Sequence, residues 1–318
     1  MKALRPNTGL SAFHFLFVSN STGNHLRSKA SARKRHRQLA LFTAPALAFF
    51  LIFAVFPLLG TIYISFFQET VFVGLKNFKF LFTDENASTR LFMAFLHNCE
   101  FFLIAASVQL PLALCMAALL TSGRVRRMTG FYRTLLFIPS TLSVVIVGFI
   151  WRLIISPLWG IVDYPLLGEK ATALPTITLM SVWQYLGIPL VFLYSALLSI
   201  PSNIIEAARV DGASDMRILF RIKIPLIAPQ IGIITILTFI WTFNGFDIIY
   251  ALNGGMPGPD YSTDVLGTLF YRTFFGWGAD QGNQNLGAAT ATIIFFIILI
   301  GTAAYFATVQ RRLKVSQL

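Results

Sequence analysis

The sequence predicts an all-α integral membrane protein with six transmembrane helices, and three observations carry that reading. Of the 318 residues, 56% are hydrophobic and 12% charged, with a mean hydropathy of +0.70; a soluble domain carries about twice that charged share. Six long stretches, 38–68, 101–123, 134–151, 171–205, 224–246 and 281–310, contain no Asp, Glu, Lys or Arg, and about 20 residues suffice to cross a bilayer as helix. Finally, the charges alternate along the chain. With residues 1–38 in the cytoplasm, 19 of the 25 basic residues fall on inner segments, clustered at Arg33 to Arg37, Arg124 to Arg133, Arg209 to Lys223 and Arg311 to Lys314. That is the positive-inside pattern. It accounts for the net charge of +12 without a nucleic-acid partner, and it places the run 33–37 on anionic membrane lipid.

A further uncharged stretch, 6–26, has an apolar core only from Leu10 to Val18. About nine residues cannot span, and the basic region and cleavage site of a secretory signal are missing. Residues 1–38 therefore read as a basic cytoplasmic tail, or alternatively as an amphipathic surface segment. Span 1, 39–67, carries Pro45 and Pro57, which are expected to kink it or end it early. With the outer segment it makes up 39–95. A five-helix core, 96–309, follows, with spans at 96–120, 134–156, 173–199, 227–250 and 286–309, and 310–318 returns to the cytoplasm. Pro157 and Gly160 close span 3; the loop after span 5 is rich in Gly and Pro between Asn253 and Pro259. In span 6, Gly287 with Ala291 and Ala288 with Thr292 have the spacing that lets membrane helices pack closely.

Catalytic and metal chemistry find no support. Cys99 and Cys115 lie about 24 Å apart along one helix and cannot pair. The four histidines sit at no ligand spacing and none lies deep in a span. An intramembrane enzyme is thus excluded, and no cofactor is expected on this chain.

The inner loop between spans 4 and 5 has its own structure. Pro201 with Ser202 or Asn203 starts a helix, and Gly212 can end it in a left-handed conformation. Ser214 or Asp215 can then cap a second helix running through Ile218 and Ile222 into Pro225. Ile204, Ile205, Ala208, Val210 and Ala213 make the element too apolar for free solvent. It lies on headgroups or docks into another protein.

Glu206-Ala207-Ala208, then Asp211-Gly212-Ala213, then Pro225 thirteen residues after the glycine, resemble the cytoplasmic signature loop of permease subunits of binding-protein-dependent ABC importers. Phe72 to Phe78, Leu136 to Pro139, Trp241 to Asp247 and Asn253 to Gly255 are similar to the carbohydrate branch, which includes the larger maltose permease subunit and the glycerol-phosphate permeases. The resemblance covers roughly residues 40–310. It implies a type I ABC importer permease-like fold in the bacterial inner membrane, with loop 201–229 carrying a cytoplasmic coupling helix. In such a system that helix seats in a cleft of an ATPase subunit, Glu206 pairing with a basic residue there and Gly212 allowing the turn. The implied partners are a second homologous permease, two ATPase subunits that hold ATP and Mg, and an external substrate-binding protein. No Gly-x-x-x-x-Gly-Lys-Ser/Thr phosphate loop occurs in this chain. Ile224 stands where leucine is common, a volume-conserving change.

Intramembrane polar residues are costly and face interior cavities. Span 5 offers Thr238, Thr242, Asn244 and Asp247 with Trp241 between them, and Thr238, Thr242 and Gly245 are spaced to share one helical face. Aromatic planes beside hydroxyl and amide groups suit a sugar, unless the threonines bond back to their own helix. Span 4 adds Ser181, Trp183, Gln184 and Tyr185. The resemblance aligns Ser181, Gln184, Tyr185, Ile188, Thr238, Thr242 and Gly245 with positions that hold sugar in the maltose permease. Ser181, Thr242 and Gly245 each replace an asparagine there, which argues against maltose. Glu100 and Arg152, near the outer ends of spans 2 and 3, snorkel to headgroups in this reading, or alternatively bind a charged group of the substrate. The alternative is a secondary sugar transporter, which needs coupling carboxylates near the midplane; only Asp247 approaches that.

Overall fold

The computed structural model describes Gln38 and residues 40–122, 128–278 and 280–310. The tails 1–37 and 311–318 and the loop 123–127, with the basic residues assigned to them, lie outside the described residues. The chain divides into two units at Gly60. The described part of the first unit, apart from Gln38, lies within helix α1, Ala40–Ile64, which buries none of its most apolar stretch. Pro57 neither ends nor breaks it. A wide π turn, Leu51–Val55, stands just ahead of the proline and absorbs the mismatch its missing N–H creates.

In the second unit a short hairpin, β1 (Phe67–Gln68) with β2 (Val71–Phe72), leads to α2, Lys76–Thr83. Helix α3, Glu85–Thr121, starts eleven residues before the expected span because Asp84 caps it, its side chain accepting from the Ala87 N–H at 2.9 Å. One face of α3 is buried from end to end: Leu91, Ala94, Asn98, Phe101, Ala105, Gln109, Ala113, Ala117 and Leu120. Steps of three and four keep these on one stripe, and the other helices pack on it. Its small end, Ala113 and Ala117, seats Leu190, Leu193 and Ile234; Phe101 packs with Ile177, Ile248 and Val265; Leu91 and Ala94 join Phe243, Leu266 and Ala289.

Spans 3, 4 and 5 are not single helices. Each is a bent pair: α4 (Thr129–Thr141) with α5 (Val144–Ile154) at 95°, α6 (Lys170–Tyr185) with α7 (Gly187–Leu198) at 49°, and α9 (Asp215–Leu226) with α10 (Ala228–Phe243) at 69°. Among the described residues, α1, α3 and the last helix, α13 (Gln284–Thr308), are long and apolar enough to cross alone, giving up to six spans when each pair counts as one. Span 5 also ends early. Helix α10 stops at Phe243 and α11, Asp247–Asn253, starts on a new axis. A Cβ on Gly245 would lie 2.9 Å from the Thr242 carbonyl oxygen and 3.0 Å from the Phe101 ring, so this turn accepts only glycine. Then come helix α12 (Leu266–Phe275), the hairpin β3 (Gly276–Trp277) with β4 (Asp280–Gln281), and α13, capped by Asn283. Gly287 and Ala288 are buried, and Gly287 admits the Phe274 side chain, the close packing its spacing predicts.

Candidate functional site

Two places collect the chemistry singled out in the sequence. The first is the loop after α7. Helix α8, Ser202–Val210, ends as the sequence predicts: Gly212 has φ of +76°, its N–H donates to the Arg209 carbonyl at 3.0 Å, and the Ala213 N–H reaches the Ala208 carbonyl at 2.9 Å. This pair of bonds is the Schellman closure that requires a left-handed residue. Ser214 then caps α9, accepting from the Arg217 N–H at 3.4 Å. Arg209 bridges to Asp215 across the turn at 3.5 Å, a solvent-exposed pair of small energetic weight. Burial and the Arg209 charge lower the pKa of the nearby Lys223, with Asp215 acting the other way. Glu206, Ala207, Asp211 and Pro225 are exposed, and Ala208 and Ala213 half-buried. Val210 is 88% exposed, a branched apolar side chain standing in the open.

The second is a cavity of about 220 Å³ between α3, the α6–α7 joint and α10. It brings together Tyr185, Ile188, Thr238 and Trp241 with Gln109, Phe192 and apolar neighbours. Trp241 is wedged between rings, its centroid 5.0 Å from Tyr185 and 5.5 Å from Phe101. The other residues expected on a common path are dispersed. Ser181, Gln184 and Thr242 are fully buried inside the chain. Gln184 lies at the α6–α7 break and donates to the carbonyl of Leu142 at the α4–α5 break, at 3.3 Å, so it joins two bends. Trp183 turns away to pack edge-on with Trp151 at 5.5 Å. Asn244 lines a different groove, with Phe246, Phe270 and Tyr271. Asp247 is exposed at the first turn of α11.

The hydroxyls also behave as the alternative reading had it. Thr235, Thr238 and Thr242 donate to the carbonyls of Ile231, Ile234 and Thr238 at 2.9, 3.0 and 2.9 Å, and Ser181 donates to Ile177 at 3.0 Å. Their protons are committed to their own helices. Thr238, Thr242 and Gly245 do not share a helical face, because the helix has ended before Gly245.

Two residues were missed. Gln109 is the one amide in the uncharged stretch 101–123 and lines the cavity; that isolation was the available signal. Asn98, fully buried, donates to the Thr242 carbonyl at 2.7 Å and accepts from the Leu266 N–H at 2.8 Å. It ties α3 to the end of α10 and the start of α12, and nothing in local sequence announces so long-range a pairing.

Membrane-length helices, bent pairs and a helix-turn element emerging between the fourth and fifth spans define a membrane-embedded transport subunit. The chain belongs to the inner membrane components of binding-protein-dependent transport systems, whose family model matches residues 109–315. It is similar to the probable ABC transporter permease protein YurN of Bacillus subtilis, 29% identical, covering 81% of this chain and 91% of that protein. The sn-glycerol-3-phosphate transport system permease protein UgpA of Agrobacterium fabrum is 30% identical, over 86% of this chain and 94% of its own. The osmoprotective compounds uptake permease GgtC of Synechocystis is 27% identical over 82% and 94%. In fold the chain is similar to a permease chain of a bacterial alginate ABC transporter in complex with its periplasmic protein, with a TM-score of 0.76, 22% identity and coverage of 88% and 96%.

Proposed function

We propose that this chain is the permease subunit of an ATP-driven importer of a sugar or sugar derivative, with N- and C-termini in the cytoplasm. A second permease completes the path, an external binding protein delivers the substrate, and two ATPase subunits bind ATP and Mg; this chain has no enzymatic activity of its own. The observation that carries the reading is the coupling loop: a short helix closed at Gly212, with Val210, Glu206 and Asp211 exposed. An exposed apolar edge beside two carboxylates suits docking into a basic-rimmed cleft. The sugar assignment rests on the names of the relatives and on the aromatic and amide lining of the cavity.

The test is uptake into vesicles holding the co-expressed complex. Uptake should require internal ATP, and Glu206→Lys, by turning attraction into repulsion, should lower it at least tenfold and weaken co-purification of the ATPase. Uptake driven by an ion gradient without ATP would make the chain a secondary transporter.

The path itself is proposed along Gln109, Tyr185, Ile188, Thr238 and Trp241. Gln109→Leu removes a donor and acceptor that the described residues leave free for substrate. Half-saturation should rise about tenfold, the cost of a neutral hydrogen bond of roughly 1 kcal/mol plus an unpaired sugar hydroxyl. Thr242→Val, at a fully buried site, should leave half-saturation unchanged. The reverse pattern would move the path to the other side of α10.

A further inference from the structure

At the end of α3 remote from the coupling loop, α12, the second hairpin and the start of α13 enclose a pocket of about 290 Å³. It is lined by Arg90, Tyr261, Arg272, Trp277, Gln281 and Asn283 among others. Arg272 is only 8% exposed and pairs with Asp264, 3% exposed, whose Oδ1 also accepts from the Thr268 hydroxyl at 2.7 Å. The pairing uses Nη2; Nη1 is buried with no hydrogen-bond partner. A buried charged donor seldom goes unpaired. Arg90 is exposed, and its Nη2 donates to the Tyr261 hydroxyl at 3.1 Å, its guanidinium 4.8 Å above the ring. The Arg272 guanidinium lies 5.9 Å from the same ring. One aromatic plane therefore holds two cations near each other. That plane is set by backbone strain, since Asp260 and Tyr261 both have positive φ, 49° and 60°. Such pairs persist where the surroundings enforce them and cluster at ligand sites. Among the described side chains Asp264 is the one acid that meets these guanidiniums, so two cations face one anion.

We propose that this pocket is a phosphate-binding site, with Arg90 as the accessible donor, the Arg272 guanidinium adding positive charge to the wall, and Trp277 against the group that carries the phosphate. Guanidinium groups are favoured partners of phosphate, and two of them beside one ring concentrate positive charge on this pocket. The volume, near the lower end of ligand clefts, admits a phosphate with a small organic group. That group belongs either to a soluble organic phosphate or to a phospholipid headgroup. The site lies apart from the cavity beside Trp241, and the inference does not rest on the transport reading.

The experiment uses the full chain, with whatever subunits copurify, in a phosphorus-free detergent. Inorganic phosphate is titrated against tryptophan fluorescence, and phospholipid phosphorus retained per chain is assayed. A soluble source predicts a saturable fluorescence change, lost in Trp277→Phe and shifted about ten- to a hundredfold to weaker binding in Arg90→Gln, the worth of a charge-assisted contact. A lipid source predicts instead no response to inorganic phosphate and about one phosphorus per chain fewer in Arg90→Gln than in the parent. Because Arg90 is exposed, its loss leaves the core intact. If Arg90→Gln changes neither the titration nor the retained phosphorus, the proposal is overturned. Neither readout involves ATP or uptake, so failure here and failure of the importer reading are separate results.

Discussion

Gly212→Val is expected to abolish coupled uptake while leaving the chain inserted and its other helices intact. A Cβ at Gly212 meets nothing within 4 Å, so the effect is conformational rather than a clash. At φ of +76° a β-branched residue is strongly disfavoured, with a cost of about 1–3 kcal/mol. The chain escapes that cost by opening the turn, which breaks the bonds from Gly212 and Ala213 to Arg209 and Ala208 and swings α8 away from α9. A docking element re-aimed by even one turn no longer fits its cleft. ATP-dependent uptake should fall at least tenfold in vesicles, with expression and insertion at parental level. Gly212→Asn is the control: asparagine tolerates the left-handed region, and this variant should retain most of the uptake. Equal loss in both would implicate the missing glycine for some reason other than backbone handedness.

Asn98→Leu should produce the largest loss of stability among single polar substitutions in the membrane core. The substitution leaves the buried Leu266 N–H without its acceptor and removes one bond to the Thr242 carbonyl, which keeps its partner in the Gly245 N–H. An orphaned buried donor costs about 1–3 kcal/mol and a lost neutral bond about 1 more, for a total of roughly 2–4 kcal/mol. In detergent the unfolding midpoint should drop by roughly 5–10 °C. Asn244→Leu offers the contrast, because that exposed amide donates only to Ile240 within its own helix and its loss should fall within about 0.5 kcal/mol. Similar midpoints for the two variants would mean that Asn98 is not the tie between α3, α10 and α12.

The loop between α7 and α10 was legible because its signals are local. A glycine at the left-handed position and a capping serine act within a few residues, and Gly212 and Ser214 take those roles, whereas α8 begins after Pro201 with no side-chain cap. The membrane spans were legible as lengths but not as shapes. Uncharged stretches report hydrophobic mass, and the residues beside the breaks, Pro139 near Leu142, Gly187 next to Leu186, and Pro225 and Pro229 around Ile227, do not by themselves set a bend. The bends arise from tertiary partners such as Gln184, whose amide reaches a carbonyl 42 residues away. The substrate path was least legible. A helical face computed through Gly245 assumes a helix that has already ended, and threonine in a span looks the same in sequence whether its hydroxyl serves a ligand or its own backbone.

The three broken spans have a biosynthetic consequence. Helices α4 and α5 have 13 and 11 residues, α7 has 12, and α6 and α10 have 16 each; none alone meets the roughly 20 needed to partition into lipid as an independent segment. The long helices α1, α3 and α13 can leave the insertion machinery in sequence order as separate units. Each half-helix must leave joined to its other half, with the freed carbonyls of the joint still lacking the amide that will satisfy them. The buried stripe of α3, which reaches the membrane before any of them, is then the surface on which the later pieces first become stable, so the chain builds its core around its second span while it is still being made.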